Sequence, residues 1–245
     1  MNRTLFLFCG GPAIYGEGLP KPLMHVSEGE SLILFYLKYL KNCKSLMPNR
    51  VILLCDDNQE HLVQSELEKL EFPIPISVRA CGRQPSTFKK FEIAVSEAVD
   101  QSLVAQFSYP DVFCLGEPTE LFAEAQASST SVFISASPLK SRFPSLIVDV
   151  YNNVVKGISN YSSALPANPH YVFGGDFWGP VGSLKTLADE FKLQVDTPEP
   201  SLEFDFFFWL INQKKMGCTI LRDDRIWVDS NRDVHNLLAR HAKII

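Results

Sequence analysis

Gly10, Gly11 and Pro12 directly follow the apolar run Leu5 to Cys9, and Lys21 lies a short loop later between Pro20 and Pro22. A buried strand that empties into a glycine loop leaves backbone N–H groups where a phosphate can sit, and a lysine just beyond it adds a point charge. The chemistry this pattern predicts is nucleotide handling, with Gly10, Gly11 and Pro12 as the cradle and Lys21 as the cation. The plain alternative is a tight strand-to-helix turn followed by a solvated lysine whose backbone is fixed by its prolines.

The elements that must position these groups read as an α/β layer. Leu5 to Cys9, Val51 to Cys55 and Ile74 to Ala80 are strand-like, whereas Ser31 to Lys41, Asn58 to Leu70 and Thr87 to Val99 carry apolar residues at helical spacing. Strand and helix in alternation imply parallel βαβ units. A further strand is expected over Asp111 to Leu115, ending at Gly116 and Glu117. Ligands of open parallel sheets collect at the carboxyl ends of the strands, so Gly10, Gly11 and Glu117 are expected on one rim.

Beyond residue 130 the pattern is less regular. Ser131 to Ser135, Leu146 to Tyr151 and Val154 to Ile158 suggest strands, with Asn152-Asn153 as a hairpin turn. Tyr171 to Trp178 is strand-like, Val181 to Phe191 and Glu203 to Gln213 helix-like, Cys218 to Leu221 a strand, and Asn231 to Ala242 a closing helix. Repeats and low-complexity tracts are absent, and a single domain over residues 1–245 with a mixed sheet accommodates the order.

Composition narrows the partners. The chain of 245 residues is 46% hydrophobic and 21% charged, enough for a large buried core. A formal net charge of -5 argues against a surface that coats nucleic acid, so phosphate affinity must come from local geometry. No apolar run reaches membrane-spanning length and no signal-peptide pattern opens the chain, which predicts a cytoplasmic protein without membrane insertion. The six cysteines form no C-x-x-C pair, so neither disulfides nor zinc are expected.

Taken together, Gly10-Gly11 with Pro20-Lys21-Pro22-Leu23, Val26-x-x-Gly29-x-Ser31-Leu32, Gly116-Glu117, Val155-Lys156-Gly157-Ile158 and Trp227-Val228-Asp229 with Asp233-Val234 resemble, in order, the conserved blocks of the nucleotidyltransferase family of the GT-A-like fold. Those enzymes join a nucleoside triphosphate (NTP) to a sugar phosphate or a phosphorylated amino alcohol. Gly175-Asp176-Phe177-Trp178 and Glu203-Phe204-Asp205 resemble segments of the small bacterial phosphocholine cytidylyltransferases.

The resemblance implies a GT-A/Rossmann-like, three-layer αβα fold with a mostly parallel mixed sheet. It also implies nucleotidyl transfer from an NTP, CTP favoured, to a small phosphorylated acceptor, with release of pyrophosphate, in cell-surface polysaccharide synthesis. By the same likeness Lys21 stabilises the phosphates, Glu117 and Asp229 hold Mg²⁺, and Asp176, Trp178 and Asp205 line the acceptor pocket. The glycine loop lacks the arginine of the family's G-x-G-T-R, and Glu117 stands where an aspartate is usual.

Other readings remain open. Glu117 and Asp229 also suit helix N-caps, and the aromatic residues between Phe204 and Trp209 suit a core. Asp56-Asp57 suggests either the metal pair of a GT-A glycosyltransferase or a capped strand-end turn. A nucleotide-binding relative without turnover is the third possibility, supported by the missing arginine.

Overall fold

The structure, a computed structural model, describes residues 2–10, 19–27, 29–43, 47–98, 103–114, 132–137, 146–152, 154–159, 165–220 and 225–227. Its first half runs β1 (Arg3–Phe8), β2 (His25–Ser27), β3 (Glu30–Ser31), α1 (Leu32–Asn42), β4 (Arg50–Cys55), α2 (Glu60–Leu67), β5 (Ile76–Ala80), α3 (Thr87–Glu97) and β6 (Val104–Ser108). There follow β7 (Val112–Cys114), β8 (Val132–Ser137), β9 (Leu146–Tyr151), β10 (Val154–Ser159), β11 (Pro169–Pro180) and α4 (Val181–Gln194). A π-helical turn (Leu202–Phe206) leads into α5 (Phe207–Asn212), and β12 (Met216–Ile220) and β13 (Arg225–Trp227) complete the described elements.

Nine strands form one sheet in the order β5-β4-β1-β6-β11-β8-β12-β10-β9. From β5 to β6 every pairing is parallel, and among the described strands of this sheet only β11 and β10 run against the others. Strand β1 is buried along its full length. Leu5, Leu7 and Cys9 pack with Leu32, Ile33 and Leu37 of α1 and Val63 of α2 on one face. Phe6 and Phe8 point the other way, into a cluster with Phe88 and Phe91 of α3 and Leu184 and Phe191 of α4. Alternation across one strand thus builds both outer layers of the expected αβα sandwich.

Phe107 sits at the middle of the second cluster. Its ring stacks on Phe6 at 4.9 Å and on Phe177 at 4.8 Å, and meets Phe91 edge-on at 5.1 Å between centroids. Offset and edge-to-face contacts of this kind add to the burial of the rings themselves.

Most expected elements are present with ends displaced by a few residues. Asn152 takes φ 51 in the turn between β9 and β10, where Tyr151 pairs with Val154, as a hairpin requires. Two expectations are corrected. The sheet strand next to β1 is Val104–Ser108, not Asp111 to Leu115; Val112–Cys114 pairs instead with Arg225–Trp227 in a separate two-stranded ribbon. The cause is chemical, since Gln106 and Ser108 interrupt the apolar run yet are buried. Over Glu203 to Gln213 the chain forms a π turn and then α5, because Ser201 caps the turn through its Oγ, which accepts from the backbone N–H groups of Phe204 and Asp205. Phe206 and Phe207 join the core, whereas Phe204 and Phe208 are exposed. The expected helix Asn231 to Ala242 lies outside the described residues. No helix among the described residues is long and apolar enough to cross a membrane.

Truncating the central ring should show how much of the fold rests on this cluster. Phe107→Ala is expected to lower stability by about 3–5 kcal/mol, read as a shift of the urea unfolding midpoint with the slope unchanged.

Candidate active site

Parallel strands that start together also end together, and the carboxyl ends of β1, β4 and β6 deliver Cys9-Gly10, Asp56 and Tyr109 to Asp111 to one edge. Lys21 reaches this edge from a 3₁₀ turn, Lys21–Leu23, that its sequence dictates. Pro20 enters with φ -57, Leu23 N–H donates to Pro20 O at 2.9 Å, and Pro22 and Leu23 are buried. Leu32 N–H at the start of α1 donates to Met24 O at 2.8 Å and fastens the turn to the helix.

The Lys21 ammonium pairs with Asp111 Oδ2 at 2.5 Å, with 20% of the lysine side chain and 8% of the aspartate exposed. At such depth a charge pair is screened far less than at the surface. Asp111 thus brings a carboxylate to the end of the sheet strand β6. Tyr109, between strand and acid, is partly buried and its hydroxyl is 3.3 Å from Thr87 Oγ1. Burial pushes its phenol well above the ordinary range, helped by the charges of Glu203 and Asp111 and opposed by the Thr87 contact. Glu203, on the π turn, is itself raised by burial against the pull of its own backbone N–H.

Beneath Gly10 lies a second ion pair. Lys90, on α3, places its Nζ 2.7 Å from Asp56 Oδ1 and donates to Cys9 O at 2.9 Å, with both side chains almost wholly buried. Gly10 adopts φ +141, and a Cβ there would stand 2.7 Å from Asp56 Oδ1 and closer still to the Lys90 ammonium. Only glycine fits. Asp56 makes no helix-capping hydrogen bond, and Asp57 is used otherwise: its Oδ1 accepts from Gly82 N–H at 2.7 Å while its own N–H donates to Gly82 O at 3.0 Å. The Asp56-Asp57 pair thus stands at a strand-end turn, as one of its two readings had it, but ties neighbouring strand ends together where a side-chain cap was expected.

Of the residues singled out by sequence, Gly10 and Lys21 stand at this edge. Gly11, Pro12, Glu117 and Asp229 lie outside the described residues. Asp176 is buried within the sheet, where its Oδ1 accepts from Gln106 Nε2 at 3.2 Å and its Oδ2 from Ser135 Oγ at 2.8 Å. Gln106 Oε1 in turn accepts from Arg3 Nη1 at 2.5 Å, and burial lowers the Arg3 guanidinium to about 10 against the raising influence of Tyr36 and Asp176. Trp178 is fully buried and stacks over Phe133. Asp205 Oδ2 accepts from Ser201 N–H at 2.7 Å, returning the cap that Ser201 gives it. These three side chains, expected around an acceptor, are engaged by the scaffold.

Sequence reasoning missed Lys90 and Asp111, and read Asp56 only as part of the Asp56-Asp57 pair. Lys90 had one legible signal, a lysine beside the apolar stripe Phe88, Phe91, Ala94 and Val95 on a helix whose start faces the strand ends. Asp111 had another, a Tyr-Pro-Asp stop after a buried strand.

A carboxylate or two beside phosphate oxygens is the usual seat of Mg²⁺. Asp111 offers such a carboxylate, and β13 ends at Trp227, paired with Val112 and two residues before Asp229. Among the described residues no group of three or more His, Cys, Asp or Glu side chains gathers to hold a metal.

No family model and no curated protein sequence matches this chain. Solved structures do. The chain is similar to the inositol-1-phosphate CTP transferase of T. maritima, with 15% identity and a TM-score of 0.71 over 99% of this chain and 96% of that one. HddC from Yersinia pseudotuberculosis matches with 15% identity and a TM-score of 0.66 over 97% and 99% of the two chains. The UTP-bound UGPase of Acinetobacter baumannii matches with 13% identity and a TM-score of 0.68 over 98% and 93%. The likeness is one of fold. This is the nucleotidyltransferase fold, in agreement with the resemblance read from the sequence.

Three buried thiols near the edge, Cys9, Cys55 and Cys81, give a direct check on its packing. Burial pushes Cys55 up to about 12 and Cys81 up to about 11, with neighbouring thiols and acids adding to the shift of Cys55; Cys9 is raised further by burial and by Cys55. Because the thiolate is the nucleophile, alkylation of all three at pH 8 should be at least about 100-fold slower in the folded protein than in urea, as followed by peptide mass spectrometry.

Proposed function

We propose that this protein is a nucleotidyltransferase that transfers a nucleotidyl group from an NTP, with CTP favoured, to a sugar 1-phosphate or a phosphorylated amino alcohol, releasing pyrophosphate. The observation that carries the reading is the pairing of Lys21 with Asp111 at the carboxyl edge of the parallel sheet, beside the glycine that ends β1. The fold shared with solved nucleotidyltransferases supports it. A role in cell-surface polysaccharide synthesis in the cytoplasm belongs to the same proposal.

Nucleotidyl transfer brings the acceptor's phosphate oxygen in line with the departing pyrophosphate, and catalysis is positioning plus neutralisation of spread negative charge. The substrate's own phosphate is the nucleophile, so no covalent enzyme intermediate is needed. Lys21 supplies a cation that can pass from Asp111 to a phosphate oxygen. Gly10, Gly11 and Pro12 are assigned to the nucleotide, with the backbone N–H groups of the two glycines toward its phosphates. Glu117 and Asp229 are the carboxylates assigned to Mg²⁺, and Asp111, paired with Lys21 at the edge, is a further candidate for the same ion. Bound there, the ion would neutralise phosphate charge and help the pyrophosphate leave.

Mixing each NTP with sugar 1-phosphates, phosphocholine and Mg²⁺ should release pyrophosphate for at least one pair. Nucleoside diphosphate released from a sugar donor would mark a glycosyltransferase instead, and binding without turnover a non-catalytic relative. In the active pair, Lys21→Ala is expected to reduce kcat/KM at least about tenfold, the equivalent of 1.4 kcal/mol. Asp111→Asn should lose as much and shift the Mg²⁺ dependence to higher concentration; wild-type kinetics in both variants would remove the edge pair from the mechanism.

A further inference from the structure

The Lys90–Asp56 pair is used by no step above, yet it lies directly under the nucleotide edge. A buried lysine is costly unless paired, and this one joins three separate elements: it stands on α3, meets the end of β4 through Asp56, and holds the end of β1 through Cys9 O. Cys9 N–H is meanwhile bound to Leu54 O at 2.8 Å, so both sides of the Cys9 peptide are fixed before the chain turns at Gly10. The turn then passes so close over the ion pair that no side chain fits between them.

We infer that Lys90 and Asp56 form a positioning post for the nucleotide-binding loop. Lys90 sets where the β1 carbonyl ends, Asp56 keeps the ammonium in place, and Gly10 takes its left-handed conformation against the pair. The loop following Gly10 lacks the arginine of the resembled family, and the post fixes its origin from below. This assignment rests on the proposed nucleotide site and adds a residue from a helix the glycine loop does not contain. Lys90 is not itself a catalytic residue, because its contacts are to Cys9 and Asp56.

The test must remove the post without stranding a buried charge. In the double variant Asp56→Asn/Lys90→Met both charges go together, a change that commonly leaves stability near its starting value. Expected is a folded protein by circular dichroism whose KM for NTP rises about tenfold while KM for the phosphorylated acceptor stays within about twofold. Without any ligand, amide exchange over Cys9-Gly10 should accelerate about tenfold, and Lys90→Arg, which keeps the charge, should recover part of both effects. Gly10→Ala, which drives a methyl into an intact pair, should raise KM for NTP in the same selective way. Unchanged NTP kinetics and exchange in a folded double variant would overturn the assignment. So would global unfolding of that variant, since the pair would then support the whole sheet. If the wild-type protein binds none of the NTPs, the nucleotide reading fails, while the ligand-free exchange still decides whether Lys90 fixes the loop.

Discussion

Burial of β1 on both faces is the constraint from which this edge follows. A strand flanked by parallel partners has no solvent-facing side, so Leu5, Leu7 and Cys9 must satisfy one helical layer while Phe6 and Phe8 satisfy the other. The register this imposes, Leu5 beside Val51 and Gln106, leaves no freedom in where the three neighbouring strands stop. A one-residue slip would turn the phenylalanines toward α1 and bring Gly10 away from Asp56. The geometry of the candidate active site is therefore set by apolar packing some distance from it.

The same burial has a polar cost, which the chain meets with a closed network. Arg3 on β1 donates to Gln106 on β6, Gln106 to Asp176 on β11, and Ser135 on β8 to the same aspartate. Four strands are cross-linked by side chains that would each be destabilising alone in the interior. Removing any one partner strands the others. That logic accounts for the burial of an aspartate in the middle of β11.

Legibility in the sequence follows how local each signal is. β1, β4, α1, α3 and α4 announce themselves through apolar spacing, and the Pro20-Lys21-Pro22 turn through its prolines. β6 does not, because its burial is achieved with Gln106 and Ser108 and its pattern becomes intelligible only beside Arg3 and Asp176. Losing β6 also lost Asp111, because the neighbouring apolar run Asp111 to Leu115 drew the expected sheet strand too far along the chain. Lys90 and Asp56 are separated by more than a helix and a strand, so nothing in either neighbourhood marks the other as its partner.

Two ion pairs at one edge differ in what they can give up. Lys21 keeps a fifth of its side chain exposed and sits on a short turn, so its amine can exchange Asp111 for an incoming phosphate with little rearrangement. Lys90 has 6% exposure and is bound to a backbone carbonyl as well as to Asp56, so it cannot follow a ligand without breaking the end of β1. With each cation already matched by an acid, the edge carries little excess positive charge of its own, in keeping with a chain of net charge -5. In the transfer proposed above, a phosphate that takes Lys21 from Asp111 would leave that carboxylate available to a divalent cation arriving with it. In the proposed reaction, a partly exposed pair beside a buried one would thus couple phosphate binding to the freeing of a carboxylate, as a Mg²⁺-assisted transfer requires.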